Sequence, residues 1–188
     1  MSIPEFSGQS ARMLLRESTR PDHDRVDAAF ARFDLGDPVD YRAFLLAQAS
    51  ALLPIEAALT AAGVQEVVCD WPQRRRASRV LADLADLGLA TPKALEAPQL
   101  GSTAQMLGAL YVVEGSRLGG AMLARRVPAH LPCRFLSDAD SSRWRSLVAL
   151  IDHELASPAS QAAALASARA AFALFEAAAH AQAGVRVP

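Results

Sequence analysis

Tyr111-Val-Val-Glu-Gly-Ser-Arg-Leu-Gly-Gly120 places three glycines, Gly115, Gly119 and Gly120, inside what otherwise reads as one long apolar helix. A glycine in a helix interior costs about 1 kcal/mol relative to alanine, so the three together cost about 3 kcal/mol and call for a compensating role. Gly115 and Gly119 are four residues apart, which puts them on one face and strips that face of side chains over a full turn. Close helix packing or a kink explains a lone glycine. The cluster suits a large flat ligand lying against bare backbone.

The rest of the chain agrees with a helical frame. It has 188 residues, enough for one domain with a real core. Hydrophobic residues make up 52% and aromatics only 6%, with Ala and Leu dominating, which favours packed helices over a sheet. The expected class is all-α, a single-domain multi-helical bundle over residues 1–188 with residues 1–10 as a flexible N-terminus. A formal net charge of −1 and a pI near 6.4 give no footprint for nucleic acid or a membrane surface. The basic run Arg74-Arg75-Arg76 reads as a solvated helix face, or as a docking patch for an acidic partner. Cys69 and Cys133 lack metal or redox spacing and read as reduced intracellular thiols. Met1 to Arg12 has no apolar signal-peptide core, and no segment holds about 18 consecutive apolar residues. A cytoplasmic location is expected.

Periodicity and capping signals give about six helices. The first runs from Ala11 to Phe33, with Met13, Leu14, Val26, Phe30 and Phe33 facing inward, and is interrupted at Pro21, with Thr19 as a cap. Asp37-Pro38 opens a second, bent at Pro54 and ending at Gly63. Pro72 opens a third that ends near Gly88. Ser102 or Thr103 caps the glycine-bearing helix, which stops at Pro128. Ser141 or Ser142 starts the next, and Ser157-Pro158 starts an Ala-rich last helix that ends at Gly184.

Of the four histidines, His130 lies in a proline-flanked loop, while His153 and His180 lie late in helices, where a cation suits the dipole. His23 differs because Asp27 follows at i+4, within reach of the Nδ1 proton. That contact would fix the tautomer and leave Nε2 for a metal. A plain surface pair is the alternative. Arg16 and Arg20, at i−7 and i−3, would flank a ligand at His23 with two permanent cations. One histidine for iron, cations for carboxylates and a glycine face for a flat macrocycle together suit haem.

In this order the elements resemble the haem oxygenase family, in particular the bacterial members found with bacteriophytochromes. Leu15-Arg-Glu-Ser-Thr-Arg-Pro-Asp-His23-Asp-Arg-Val-Asp27 is similar to the family's proximal-helix motif, and Tyr111 to Gly120 to its distal-helix motif. The resemblance implies haem held between an N-terminal proximal helix and a kinked, Gly-rich distal helix. His23 would be the axial ligand, Asp27 its orienting carboxylate, and Arg16 and Arg20 partners of the propionates. Gly115, Gly119 and Gly120 would be the distal glycines, and Ser116 stands where animal members have an aspartate that organises water. Glu114, one residue from Gly115, should point elsewhere.

The implied reaction uses O2 and external electrons to open haem, at once substrate and cofactor, to biliverdin, CO and ferrous iron. No flavin, nicotinamide or iron–sulfur fingerprint is present, so the resemblance implies a ferredoxin or an NAD(P)H-dependent reductase as donor, with Arg74 to Arg76 or Arg125-Arg126 as docking charges. A bacteriophytochrome is an implied recipient of biliverdin. The competing readings are a non-catalytic haem-binding or haem-delivery protein on the same bundle, and a helical interaction protein without haem.

Overall fold

The computed structural model describes residues 10–137 and 141–183, which form helices and no strand. The expected flexible N-terminus and the helix end at Gly184 fall outside them, apart from Ser10 at the N-cap of the first helix. The described helices are α1 (Ala11–Ser18), α2 (Arg20–Phe30), α3 (Pro38–Ala61), α4 (Trp71–Arg74), α5 (Ala77–Asp86), α6 (Thr103–Ala124), α7 (Ser141–Glu154) and α8 (Pro158–Gln182), with one 3-10 turn at Val64–Glu66. The bundle therefore has more, shorter elements than the six expected, because two of those are broken by side chains acting on the backbone.

The first break is at Thr19, whose hydroxyl donates back to the Leu15 carbonyl at 2.7 Å instead of capping α2. Pro21 then lies in the first turn of α2, where its missing N–H does no harm. Within α1 it is Ala11 and Leu15 that are buried, while Met13, expected to face inward, is exposed. The second break is at Arg75, which is extended (ψ 135°) between α4 and α5. There the Glu56 carboxylate of α3 accepts from the backbone N–H of Arg76 at 2.7 Å and of Ala77 at 3.0 Å. A carboxylate from another helix thus caps α5 and makes a new helix start where local sequence shows none.

Elsewhere the local signals hold. Asp37 caps α3 by accepting from Val39 and Asp40, Ser102 caps α6, and Ser157 forms a capping box with Ser160. Gly63 and Gly88 follow α3 and α5 with φ of 78° and 70°, the left-handed conformation that favours glycine. Pro54 lacks the N–H that would bond the Ser50 carbonyl, yet α3 continues through it. Leu95, from the irregular segment before α6, donates to Ser50 instead at 3.2 Å. α6 runs without interruption through its glycines and stops at Ala124, short of Pro128.

α8 packs along α6, α3 and α2, and α3 also rests on α5. The closest approach is between α6 and α8 at Gly108, where an added Cβ would lie 2.0 Å from the Ala164 carbonyl oxygen. Ala164, Ala168 and Ala171 give α8 a flat buried face there. α3 and α8 are each long and apolar enough to cross a bilayer, but 72% of the relevant α3 window is buried inside the bundle. Its apolar residues are the core, with Tyr41, Phe44, Leu45, Leu52, Ile55 and Leu59 inaccessible or nearly so.

Candidate functional site

His23 sits in the first turns of α2, its side chain 59% exposed, with Nδ1 3.2 Å from Asp27 Oδ2. The edge of its ring meets Phe172 of α8, at 6.0 Å between centroids and 71°. α2 is tied to α8 beside it: Arg25 bridges Asp22 at 2.7 Å and Glu176 at 3.2 Å, and Arg169 reaches Asp22 at 3.6 Å and the Ser18 carbonyl at 3.1 Å. The histidine thus stands on an anchored helix with Nδ1 at a carboxylate and Nε2 on the other edge of the ring. Arg16 and Arg20 are exposed and make no ion pair among the described residues. His153 and His180 are exposed and lie beside Glu154 and Glu176.

The three distal glycines do three different things. Gly119 is exposed, and an added Cβ there would have nothing within 4 Å. At Gly115 the Cβ would touch Trp144 of α7, with Cη2 and Cζ3 both at 3.6 Å. Gly120 does not share the bare face. It is buried, and its Cβ would meet the Leu136 carbonyl oxygen at 2.8 Å, so close packing accounts for that glycine and corrects its place among the ligand-facing residues. Around the helix Tyr111, Gly115, Leu118, Gly119 and Met122 fall on one side. Leu118 and Met122 are the most exposed large apolar side chains described, Met122 at 75%.

Tyr111 is an unforeseen member of this face. Its ring lies 5.4 Å from that of Trp144, and burial pushes the phenol up while the Arg16 charge and a hydrogen bond with Thr19 pull it back. The α1–α2 junction and α6 therefore meet where Thr19 faces Tyr111, with the Arg16 charge near.

Arg74 to Arg76 are neither a solvated face nor a docking patch, because two of the three are in the core. Arg74, 3% exposed, donates to Asp70 at 2.7 Å, Glu114 at 3.1 Å, the Arg143 carbonyl at 3.0 Å and Ser146 at 2.9 Å. Arg117 donates to the other Glu114 oxygen at 3.0 Å and to the Arg74 carbonyl. Arg76, 2% exposed, donates to the Val113 carbonyl at 2.8 Å and to Ser116 Oγ at 2.6 Å, with Phe135 4.8 Å below its guanidinium. Only Arg75 is half-exposed. Glu114 does point away from the glycine face, into this cluster. The signal for it was Glu114-x-x-Arg117, an acid and a base one turn apart in an apolar helix.

Among the described residues no group of three or more His, Cys, Asp or Glu gathers to hold a bare ion. A single carboxylate-paired imidazole without other metal-ligating side chains gathered beside it suits a metal that brings its own equatorial ligands, which is the chemistry of haem.

These features define an all-α bundle with a carboxylate-paired histidine on an N-terminal helix and a glycine-bearing helix that leaves one face open. No protein-family model matches the chain. It is 41% identical over 112 residues to a haem oxygenase of Xanthomonas campestris pv. campestris, covering 56% of this chain and 67% of that protein. It is 36% identical over 89 residues to the haem oxygenase PigA of Pseudomonas aeruginosa, covering 42% and 45%. Its fold matches the NO- and CO-bound haem oxygenase of Neisseria meningitidis with a TM-score of 0.80 and 23% identity, over 95% of this chain and 94% of that one. The chain belongs to the haem oxygenase family.

Proposed function

We propose that this chain, as one domain, binds haem between α2 and α6 and degrades it with O2 and external electrons to biliverdin, CO and ferrous iron. Family membership supports the reaction, and the His23 Nδ1–Asp27 contact at 3.2 Å is the observation that carries the site. Bound haem supplies the iron that activates O2 and the ring that is oxidised.

The residues have defined tasks in that reading. Asp27 holds the Nδ1 proton, so that His23 meets the iron as a neutral, correctly turned imidazole. A thiolate in its place would favour O–O cleavage. Arg16 and Arg20 pair with the propionates, and Tyr111 completes that end. Gly119 lets the macrocycle approach the α6 backbone, Gly115 lines its edge, and Ser116, which accepts from Arg76 and donates to the Val113 carbonyl at 2.8 Å, keeps an acceptor lone pair for distal water.

Electrons come from a ferredoxin or an NAD(P)H-dependent reductase. With Arg74 and Arg76 buried, the exposed Arg125-Arg126 pair is the better docking charge. The free thiols Cys69 and Cys133 accord with a reducing cytoplasm, and a bacteriophytochrome is the proposed recipient of biliverdin.

The test is reconstitution with ferric haem, then reduction in air. Expected are one haem per chain with a Soret band that decays as biliverdin accumulates, and loss of both the parent spectrum and turnover in His23→Ala with helicity kept. Haem that binds but survives reduction would favour the delivery alternative, and an unchanged spectrum in His23→Ala would remove the ligand assignment.

A further inference from the structure

The bare strip of α6 is bounded unevenly. At Gly115 the indole of Trp144 lies at van der Waals distance from where a side chain would begin, whereas one turn on, at Gly119, nothing lies within 4 Å. We propose that Trp144 determines the regiochemistry of ring opening, as a rigid side wall that stops the macrocycle from turning in its own plane. The proposal rests on the haem reading above.

The wall is held in place by a buried ion cluster. On α7 Trp144 follows Arg143, whose carbonyl accepts from Arg74 Nη1 at 3.0 Å, and lies two residues before Ser146, whose Oγ accepts from Arg74 Nη2 at 2.9 Å. The same Arg74 donates to Glu114, the residue next to Gly115, at 3.1 Å. Arg143 also reaches back to the Gln73 carbonyl at 2.7 Å. One guanidinium, 3% exposed, therefore ties the start of α7 to α6 beside the bare strip. Tyr111 supports the indole from the same face of α6, at 5.4 Å and 44° between rings. Arg12 of α1 closes the far end of α7, its backbone N–H on Asp152 at 2.9 Å and its side chain at 3.3 Å.

A porphyrin's four meso carbons bridge four similar pyrrole rings, so ligation by His23 would not by itself distinguish them. Contacts at the rim must. A macrocycle lying on Gly119 with its propionates toward the mobile, solvent-exposed Arg16 and Arg20 would meet the indole as a flat wall at one edge and the flexible Leu118 and Met122 near another. Rotation in plane would drive a peripheral substituent into Trp144, so one seating is preferred.

The test uses the full chain with Trp144→Ala, Trp144→Leu and Trp144→Phe. Seating is read without turnover from the proton NMR shifts of the haem methyl groups in the ferric cyanide complex, and regiochemistry from the biliverdin isomer ratio. Expected are a second set of methyl resonances and a second isomer in Ala and Leu, with Phe closer to the parent. Leu keeps apolar volume on α7 without the flat ring, so it decides the question if the Ala variant does not fold. Parent methyl shifts and a parent isomer ratio in the folded variants would overturn the proposal while leaving the haem reading intact, as would weaker haem binding with unchanged seating. A parent chain that takes up no haem would remove both.

Discussion

Alanine at Gly119, Gly120 and Gly108 separates three reasons for a glycine in one helix. Each substitution brings the same intrinsic gain of nearly 1 kcal/mol in helix propensity, so differences measure the surroundings. At Gly119 the added methyl meets nothing within 4 Å, and the gain is expected almost undiminished, raising the melting temperature of the haem-free chain by about 2–4 °C. At Gly120 it meets the Leu136 carbonyl oxygen at 2.8 Å. That oxygen belongs to backbone held through Asp83, which accepts from the N–H of Arg134 at 3.1 Å and of Phe135 at 2.9 Å, so it has little room to move. An overpacking cost of about 1–3 kcal/mol then meets or exceeds the gain. At Gly108 the 2.0 Å approach to Ala164 demands separation of α6 from α8, at about 3 kcal/mol or more. Urea and thermal denaturation of the haem-free variants should rank them Gly119→Ala above parent, Gly120→Ala at or below it, and Gly108→Ala lowest. Only Gly119→Ala should combine a stabler fold with weaker haem binding or slower turnover. A destabilised Gly119→Ala, or a Gly120→Ala as stable as it, would refute the assignment of the two faces.

Two buried carboxylates give further expectations. Glu114→Ala leaves the Arg74 and Arg117 guanidinium groups buried without their shared anion, and urea denaturation should show a loss of about 3–5 kcal/mol; a loss below 1 kcal/mol would contradict the cluster's role. Burial pushes the Glu56 carboxyl up, opposed by the N–H groups of Arg76 and Ala77. The folded chain then holds that proton more tightly than the unfolded chain, so this group's contribution to stability falls as pH rises from the ordinary carboxylate range through the raised folded value. Stability measured across that window in Glu56→Gln should lack this downward component, and an identical pH slope in parent and variant would refute it.

Much of the frame was legible because its causes lie within one turn. Asp37, Ser102 and Ser157 cap helices through neighbours two or three residues on, and Asp27 reaches His23 because i and i+4 share a face. The extra break at Arg75 was not legible, since Glu56, which makes it, lies 20 residues earlier. Nor was the rescue of Pro54 by Leu95.

For the site, helical geometry alone set Gly115 and Gly119 on one side and Glu114 on another, since the angle between residues of a helix is the same whatever surrounds it. What lies against each side depends on partners far along the chain. Trp144 covers Gly115, Leu136 blocks Gly120 and nothing approaches Gly119, though all three glycines look alike in the linear order. Arg74 and Arg76 read as surface because a charge is normally left in water. They are buried because Glu114, 40 residues from Arg74, and the Val113 carbonyl, 37 residues from Arg76, replace the lost hydration with hydrogen bonds that exist only once α4, α5, α6 and α7 have packed.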